Sequence, residues 1–304
     1  MKQLHLKGII PPILTPLRRD GSVDTLALER LTQHLIKNGV HALFALGTAG
    51  EGPVLTHSQR RTALETIKSA VQRAVPLLVG ILETSTERYI EVVKEVEKVG
   101  VDAVVVNPPF YFPVSQEEIV KHVLKIREAT DLPFVLYNIP KYTGNPYTAE
   151  TVHELAKVPG VIAYKDSSSD MVHFQEVLRL TKDMEGFSVL QGNHLLSIPS
   201  LLMGAAGLVP GLGNIIPKEM VELYNAVIAG DLPTAYRCHE LVVKLDKLLA
   251  GDHYSLAMLK AMIEVLGFSD ECVPHTPLPP LDNAMKTRLR EFFAREQITG
   301  WAAN

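Results

Sequence analysis

Short apolar runs recur along this chain at intervals of about thirty residues, and amphipathic stretches fill the spaces between them. The runs are Ile9–Thr15, Ala42–Leu46, Leu77–Ile81, Ala103–Val106, Phe134–Tyr137, Val161–Tyr164, Ser188–Gln191 and Gly207–Val209, eight in all and each of strand length. Between them, Leu28, Leu31, Leu35 and Ile36 share one helical face, and Ile90, Val93 and Val96 share another. Thr56 with Gln59 and Ser115 with Glu118 have the spacing of capping boxes, in which a hydroxyl and a side chain three residues on satisfy each other's free N–H groups. Gly39-Val40-His41-Ala42 and Gly100-Val101-Asp102-Ala103 are near copies, each closing a helix and opening a strand, and Pro159-Gly160-Val161-Ile162-Ala163 does the same.

This internal echo marks a repeating strand–helix unit. Eight such units in about 220 residues predict an α/β fold, a (β/α)8 TIM barrel. A doubly wound sheet is the alternative, but it would usually show fewer strands in this length. From about Pro217 the pattern is all helical, over Glu219–Ala229, Leu232–Ala250, Tyr254–Leu266 and Asn283–Glu296. The run Pro274-His275-Thr276-Pro277-Leu278-Pro279-Pro280 reads as a rigid connector, because proline cannot donate to a sheet. The expected division is therefore a barrel over 1–225, carrying the active site, and a small C-terminal helical domain over 226–304.

Composition narrows the class. A chain of 304 residues with 46% hydrophobic and 21% charged residues can bury a large core, and its net charge of −4 offers no basic footprint for nucleic acid. Cys238 and Cys272 are too few for a disulfide framework and suit a reducing compartment. Met1-Lys2-Gln3-Leu4-His5-Leu6-Lys7 has no apolar core of a leader, so a cytoplasmic protein is expected. Leu195–Pro217 is uncharged and long enough to span a bilayer, yet Pro199, Gly204, Gly207, Pro210, Gly211 and Gly213 break it, so it reads as a buried helix followed by a buried strand.

In a barrel, chemistry gathers at the C-terminal ends of the strands. The sixth run ends on Lys165. Desolvation at a strand end disfavours the ammonium form, and the neutral amine can attack a carbonyl. Alone, such a lysine more often points to solvent. Here Tyr137 ends the fifth run, Tyr111 follows the fourth and Thr48 follows the second, so an amine, two phenols and a hydroxyl share one mouth. The turn Gly47–Gly52 offers free backbone N–H groups suited to a carboxylate. A phenol can carry a proton. Together these parts suit a keto acid held by its carboxylate and attacked at its carbonyl.

On Gly47-Thr48-Ala49-Gly50-Glu51, Tyr137-Asn138-Ile139-Pro140, Lys165-Asp166 and the glycine-rich turn at Gly211, the chain resembles, over nearly its whole length, the dihydrodipicolinate synthase / N-acetylneuraminate lyase family of class I pyruvate-dependent aldolases. The resemblance implies that Lys165 forms an imine with pyruvate, that Tyr137 shuttles the proton, and that Thr48 and Tyr111 extend the relay. Tyr111 would reach in from a neighbouring subunit, which implies a homo-oligomer, a dimer of dimers being usual. Gly47, Ala49, Tyr142, Gly192, Asn193, Val209 and Gly211 fall at the strand ends as the substrate-binding set, with no metal or organic cofactor beyond the covalent imine.

Two departures bear on the substrate. Ala49 stands where many members carry a second Thr or Ser, which removes one hydrogen bond to the carboxylate, worth about 1.5–3 kcal/mol for a charged partner. Tyr142 stands where dihydrodipicolinate synthases carry an arginine that grips the carboxylate of aspartate semialdehyde, and a phenol cannot replace that fork-shaped cation. With Asn193 and His194 nearby, a hydroxylated partner fits better. The expected reaction is aldol cleavage or condensation, or dehydration, of a 2-oxo-3-deoxy sugar acid. The alternatives are dihydrodipicolinate synthase itself, and a barrel that binds a keto acid without turning it over. The positions of the family's lysine effector contacts read Arg60, Thr84, Arg88 and Phe110, with His57 alone retained, so no feedback by lysine is expected.

The bland readings are few. Glu51 reads as structural, bonding N–H groups in its turn, and Asp166 with Ser167–Ser169 reads as the cap of the next helix. The eleven histidines show no metal-ligand spacing, and no Walker A or G-x-G-x-x-G fingerprint is present.

Overall fold

The computed structural model describes residues 4–249 and 255–301. Met1–Gln3 of the leader reading, and Ala250 and Tyr254 as helix ends, lie outside the described residues. Eight parallel strands form one sheet: β1 (Gly8–Ile9), β2 (Leu43–Ala45), β3 (Leu77–Ile81), β4 (Ala103–Val106), β5 (Phe134–Asn138), β6 (Val161–Asp166), β7 (Ser188–Gln191) and β8 (Gly207–Leu208), in the order β1-β8-β7-β6-β5-β4-β3-β2. The two ends meet, because Pro12 bridges to Phe44, the Ile13 N–H donates to the Phe44 carbonyl at 2.9 Å and the Phe44 N–H to the Pro11 carbonyl at 3.0 Å. The sheet is therefore a closed barrel, and helices follow its strands on the outside.

Why the strands read as unbroken apolar runs is clear from β4. Val104 and Val106 pack with the helices, while Ala103 and Val105 belong to a separate inner cluster with Phe44, Leu78, Val135, Tyr137 and Leu190. Both faces of each strand are buried, so alternation between apolar and polar positions disappears. The same period of two places Ala163 inside, Tyr164 among the helices and Lys165 inside again.

Local signals act as expected. Thr56 and Ser115 form capping boxes for helices His57–Val71 and Gln116–Arg127. Two readings need correction. The first run yields only the short β1, because Pro11 and Pro12 have no N–H to donate and the chain from Ile10 to Thr15 contributes isolated bonds instead of a ladder. The uncharged stretch after β7 is the expected buried helix and strand, Ser197–Leu202 and β8, flanked by the 3-10 turns His194–Leu196 and Gly211–Asn214. Among the described residues no helix is long and apolar enough to cross a membrane.

The second correction concerns Asp166. The helix Met171–Thr181 is capped by Asp170, whose carboxylate accepts from the Val172 and His173 N–H groups at 2.9 and 3.0 Å. Asp166 is wholly buried and accepts from Asn138 Nδ2 at 2.8 Å, the Tyr164 hydroxyl at 3.1 Å and Ser168 Oγ at 2.7 Å. Its work is to tie the ends of β5 and β6 together.

Beyond β8 the helices Pro217–Ala229, Leu232–Leu249, Ser255–Val265 and Asn283–Arg295 follow. The first of these runs through position 225 and packs on β1. Leu232–Leu249 and Ser255–Val265 reach the C-terminal mouth of the barrel, where their side chains join the site.

Candidate active site

A cavity of about 910 Å³ opens at the C-terminal ends of the strands, large enough to enclose a small-molecule substrate. Lys165 lies at its floor with only 4% of its surface exposed. The β5–β6 register sets Tyr137 directly beside Lys165. The Lys165 Nζ lies 3.9 Å from the centroid of the Tyr137 ring and 5.0 Å from that of Phe44. Burial among these rings drives the Lys165 pKa down from 10.5 to about 7, against the opposing pull of the Asp166 carboxylate. Near neutral pH a large fraction of this amine is unprotonated, which is the form that attacks a carbonyl.

Tyr137 is also buried, and its hydroxyl lies 3.4 Å from Thr48 Oγ1. Burial raises the phenol's pKa, while contacts from Thr48 and Ser167 oppose that rise. The phenol thus holds its proton at neutral pH but has hydroxyl neighbours through which the proton can pass. Ser167 Oγ faces Gly192: a Cβ at position 192 would lie 2.0 Å from it, 2.8 Å from the Asp166 carbonyl and 3.0 Å from Lys165 Cε. A side chain there would collide with Ser167 and the Asp166 carbonyl and crowd the reactive lysine, so the position just after β7 calls for glycine.

The turn after β2 is built by close approach. A Cβ at Gly47 would lie 2.7 Å from the Phe44 ring. Gly47 therefore shapes the turn and does not itself line the cavity. Among the described residues, the Thr48, Ala49 and Gly50 N–H groups have no hydrogen-bond acceptor, whereas the Glu51 and Gly52 amides are used within the turn, donating to the Thr48 and Gly47 carbonyls. Two free donors beside Thr48 can hold a carboxylate.

Of the residues singled out from the sequence, Lys165, Tyr137, Thr48, Ala49, Tyr142, Gly192, Val209 and Gly211 line this cavity. Asn193 does not. Its carboxamide turns away, donating to Ser169 Oγ at 2.8 Å and accepting the Leu195 N–H at 3.0 Å, and so opens the following 3-10 turn. Nor does Tyr111, which is 82% exposed at positive φ, stacked edge-to-face on the exposed Phe112 ring 5.0 Å away. The chain alone does not bring this phenol to Lys165.

Glu51 is structural, but through partners the sequence does not suggest. It forms a buried ion pair with Lys260, both side chains fully shielded from solvent. It also accepts from the His275 backbone N–H at 2.8 Å and from His275 Nδ1 at 2.7 Å. The C-terminal part thus clamps the turn that carries Thr48. His275, Lys141, Ser167 and Asp246 line the cavity as well. Distance along the chain conceals His275, for Glu51 and His275 are 224 positions apart.

Arg60 and Arg88 both pair with the buried Glu83, at 2.5 and 2.8 Å.

Comparison with known proteins agrees with this geometry. A family model described as the dihydrodipicolinate synthetase family matches residues 5–295. The 4-hydroxy-tetrahydrodipicolinate synthase of Phocaeicola vulgatus is 35% identical over 281 residues, which is 92% of this chain and 93% of that protein. That of Geobacter sulfurreducens is 31% identical, covering 96% of this chain and 99% of its own. Among solved structures, a prophage protein of E. coli belonging to the dihydrodipicolinic acid synthase family, in complex with pyruvate, superposes with a TM-score of 0.91 at 28% identity, covering 96% of this chain and 99% of that one. The dihydrodipicolinate synthase of Bacteroides thetaiotaomicron superposes with a TM-score of 0.90 at 34% identity, covering 95% and 98%.

Proposed function

The chain belongs to the dihydrodipicolinate synthetase family and is a lyase of the class I aldolase type, and on that premise we propose that Lys165 forms a Schiff base with pyruvate. The observation that carries this is the Lys165 amine, buried against the Tyr137 ring with its pKa lowered to about 7. The amine adds to the pyruvate carbonyl and water leaves. The imine then draws electrons from the adjacent C–H bond, so no metal or organic cofactor is needed. The resulting enamine carbon bonds to an aldehyde carbon, the aldehyde oxygen takes a proton, and water returns to release the product. Cleavage runs the same steps in reverse. Tyr137 hands protons over in these steps, with Thr48 as its partner, and the free Thr48 and Ala49 N–H groups hold the pyruvate carboxylate. Simple storage of a keto acid would not call for a desolvated amine.

Two aldehydes compete. The names of the curated relatives support aspartate semialdehyde, with the exposed Lys141 on the cavity wall as the nearest substitute for a carboxylate-gripping cation. The neutral Tyr142 supports a hydroxylated aldehyde and hence a 2-oxo-3-deoxy sugar acid. The test follows pyruvate consumption with aspartate semialdehyde and pyruvate release from a 2-oxo-3-deoxy acid, each with wild type and Lys165→Met. The faster reaction names the substrate, and a rate that survived in Lys165→Met would sink the Schiff-base reading. The exposed pair Tyr111 and Phe112 supports a homo-oligomer in which Tyr111 completes a neighbour's site.

A further inference from the structure

Two histidines from distant parts of the chain line the same cavity as Lys165, and each is held by a carboxylate. His275 lies between the helices Ser255–Val265 and Asn283–Arg295. Its Nδ1 lies 2.7 Å from Glu51 Oε1, and Glu51 is ion-paired with the buried Lys260. A carboxylate facing a cation only accepts hydrogen bonds, so Nδ1 carries the hydrogen and Nε2 is the ring atom left for a ligand. His194 stands at the strand-7 end. Its Nε2 lies 2.8 Å from Asp246 Oδ1, which leaves Nδ1. Burial favours the neutral ring at His194, although Asp246 pulls the other way. Among the described residues neither remaining ring nitrogen has a hydrogen-bond partner.

A histidine fixed in orientation by a carboxylate presents one nitrogen in a set direction. Two such nitrogens, on rings that line one cavity, match hydroxyl groups. They do not match a second carboxylate, which would seek a fork-shaped or ammonium cation. Lys260 cannot serve, since its Nζ is already engaged by Glu51 and by the Val273 carbonyl at 2.8 Å, which leaves the exposed Lys141 as the cation a carboxylate would have to use.

Resting on the Schiff-base reading above, we propose that His194 and His275 determine specificity for the aldehyde half of the substrate, recognising hydroxyl groups beyond its carbonyl. Glu51 and Asp246 are the positioning residues. The substrate class is then a short polyhydroxylated aldehyde joined to, or released from, pyruvate. The bond made is between the enamine carbon and the aldehyde carbon, and the histidines hold hydroxyls that neither form nor break.

The experiment compares kcat/KM for addition of pyruvate to D-glyceraldehyde and to propanal, which share a carbon count and differ in hydroxyls. Wild type, His275→Leu and His194→Leu are measured on the full chain. Borohydride trapping of pyruvate on each protein shows separately that the fold and the amine are intact. Wild type should prefer glyceraldehyde, and each variant should lower that preference roughly tenfold, the loss of one hydrogen bond in a desolvated site. If His275→Leu does not fold because Glu51 loses a partner, His194→Leu carries the test alone. An unchanged preference in folded variants, or a wild-type kcat/KM higher for aspartate semialdehyde than for glyceraldehyde, overturns the proposal. Absence of any wild-type pyruvate adduct removes the Schiff-base reading beneath it, and the proposal with it.

Discussion

Lys165 and Tyr137 are cross-strand partners, paired in register on β6 and β5, and the lysine Nζ lies 3.9 Å from the tyrosine ring centroid. The ring that desolvates the amine is therefore the same ring whose hydroxyl lies against Thr48. One residue pair sets both the nucleophile's protonation and the route of its proton.

Replacing Tyr137 with Phe keeps the ring and removes the hydroxyl. The amine stays desolvated, so pyruvate should still be trapped by borohydride. Turnover should fall by about 10²–10⁴-fold, the usual contribution of a positioned proton donor. Equal loss of trapping and turnover would mean that the phenol acts before the imine forms.

The Lys165 pKa has a consequence for stability. An unfolded lysine titrates near 10.5, the folded one near 7. The folded state therefore binds fewer protons between those values, and its stability rises with pH across that window. Below about 7 the full cost of burying the charge applies, on the order of 5 kcal/mol at 1.36 kcal/mol per pH unit. Lys165→Met should be inactive yet more resistant to urea at pH 7 than wild type, with the gain shrinking towards pH 10.5. A gain that is independent of pH would contradict the lowered pKa.

Lys260→Met leaves the Glu51 carboxylate buried without its cation. Such a change should cost about 3–5 kcal/mol in urea denaturation. Adding Glu51→Gln should recover part of the loss, because an amide tolerates burial better than an unpaired charge. If the single variant were as stable as wild type, the clamp on the turn carrying Thr48 would be ornamental.

L-Lysine should leave the rate unchanged. The carboxylate of Glu83 is neutralised by Arg60 and Arg88, at positions where the family resemblance implies effector contacts in other members. Inhibition at sub-millimolar lysine would show that the site survives the substitutions.

The barrel was legible because its strands are buried on both faces, so Leu77–Ile81, Ala103–Val106 and Ser188–Gln191 stand out as apolar runs with unchanged bounds. The cap pairs Thr56/Gln59 and Ser115/Glu118 were legible because their partners are local. Lys165, Tyr137 and Thr48 were legible because strand ends converge. Glu51, Lys260 and His275 were not read as a unit, since what joins them is tertiary packing across more than two hundred residues. Asn193 was placed in the site by its position alone, and its short carboxamide found the backbone of the next turn instead. Asp166 looked like a cap because Asp and Ser cap helices, but the true cap, Asp170, lies four residues on.

The central claim is covalent, and intact mass answers it most directly. The protein is incubated with saturating pyruvate near pH 7.5, reduced with borohydride, digested and weighed. A pyruvate-derived adduct on the peptide containing Lys165, absent from Lys165→Met, is the predicted result. An unmodified Lys165 peptide under pyruvate saturation, or an adduct carried equally by Lys165→Met, would contradict the Schiff-base assignment.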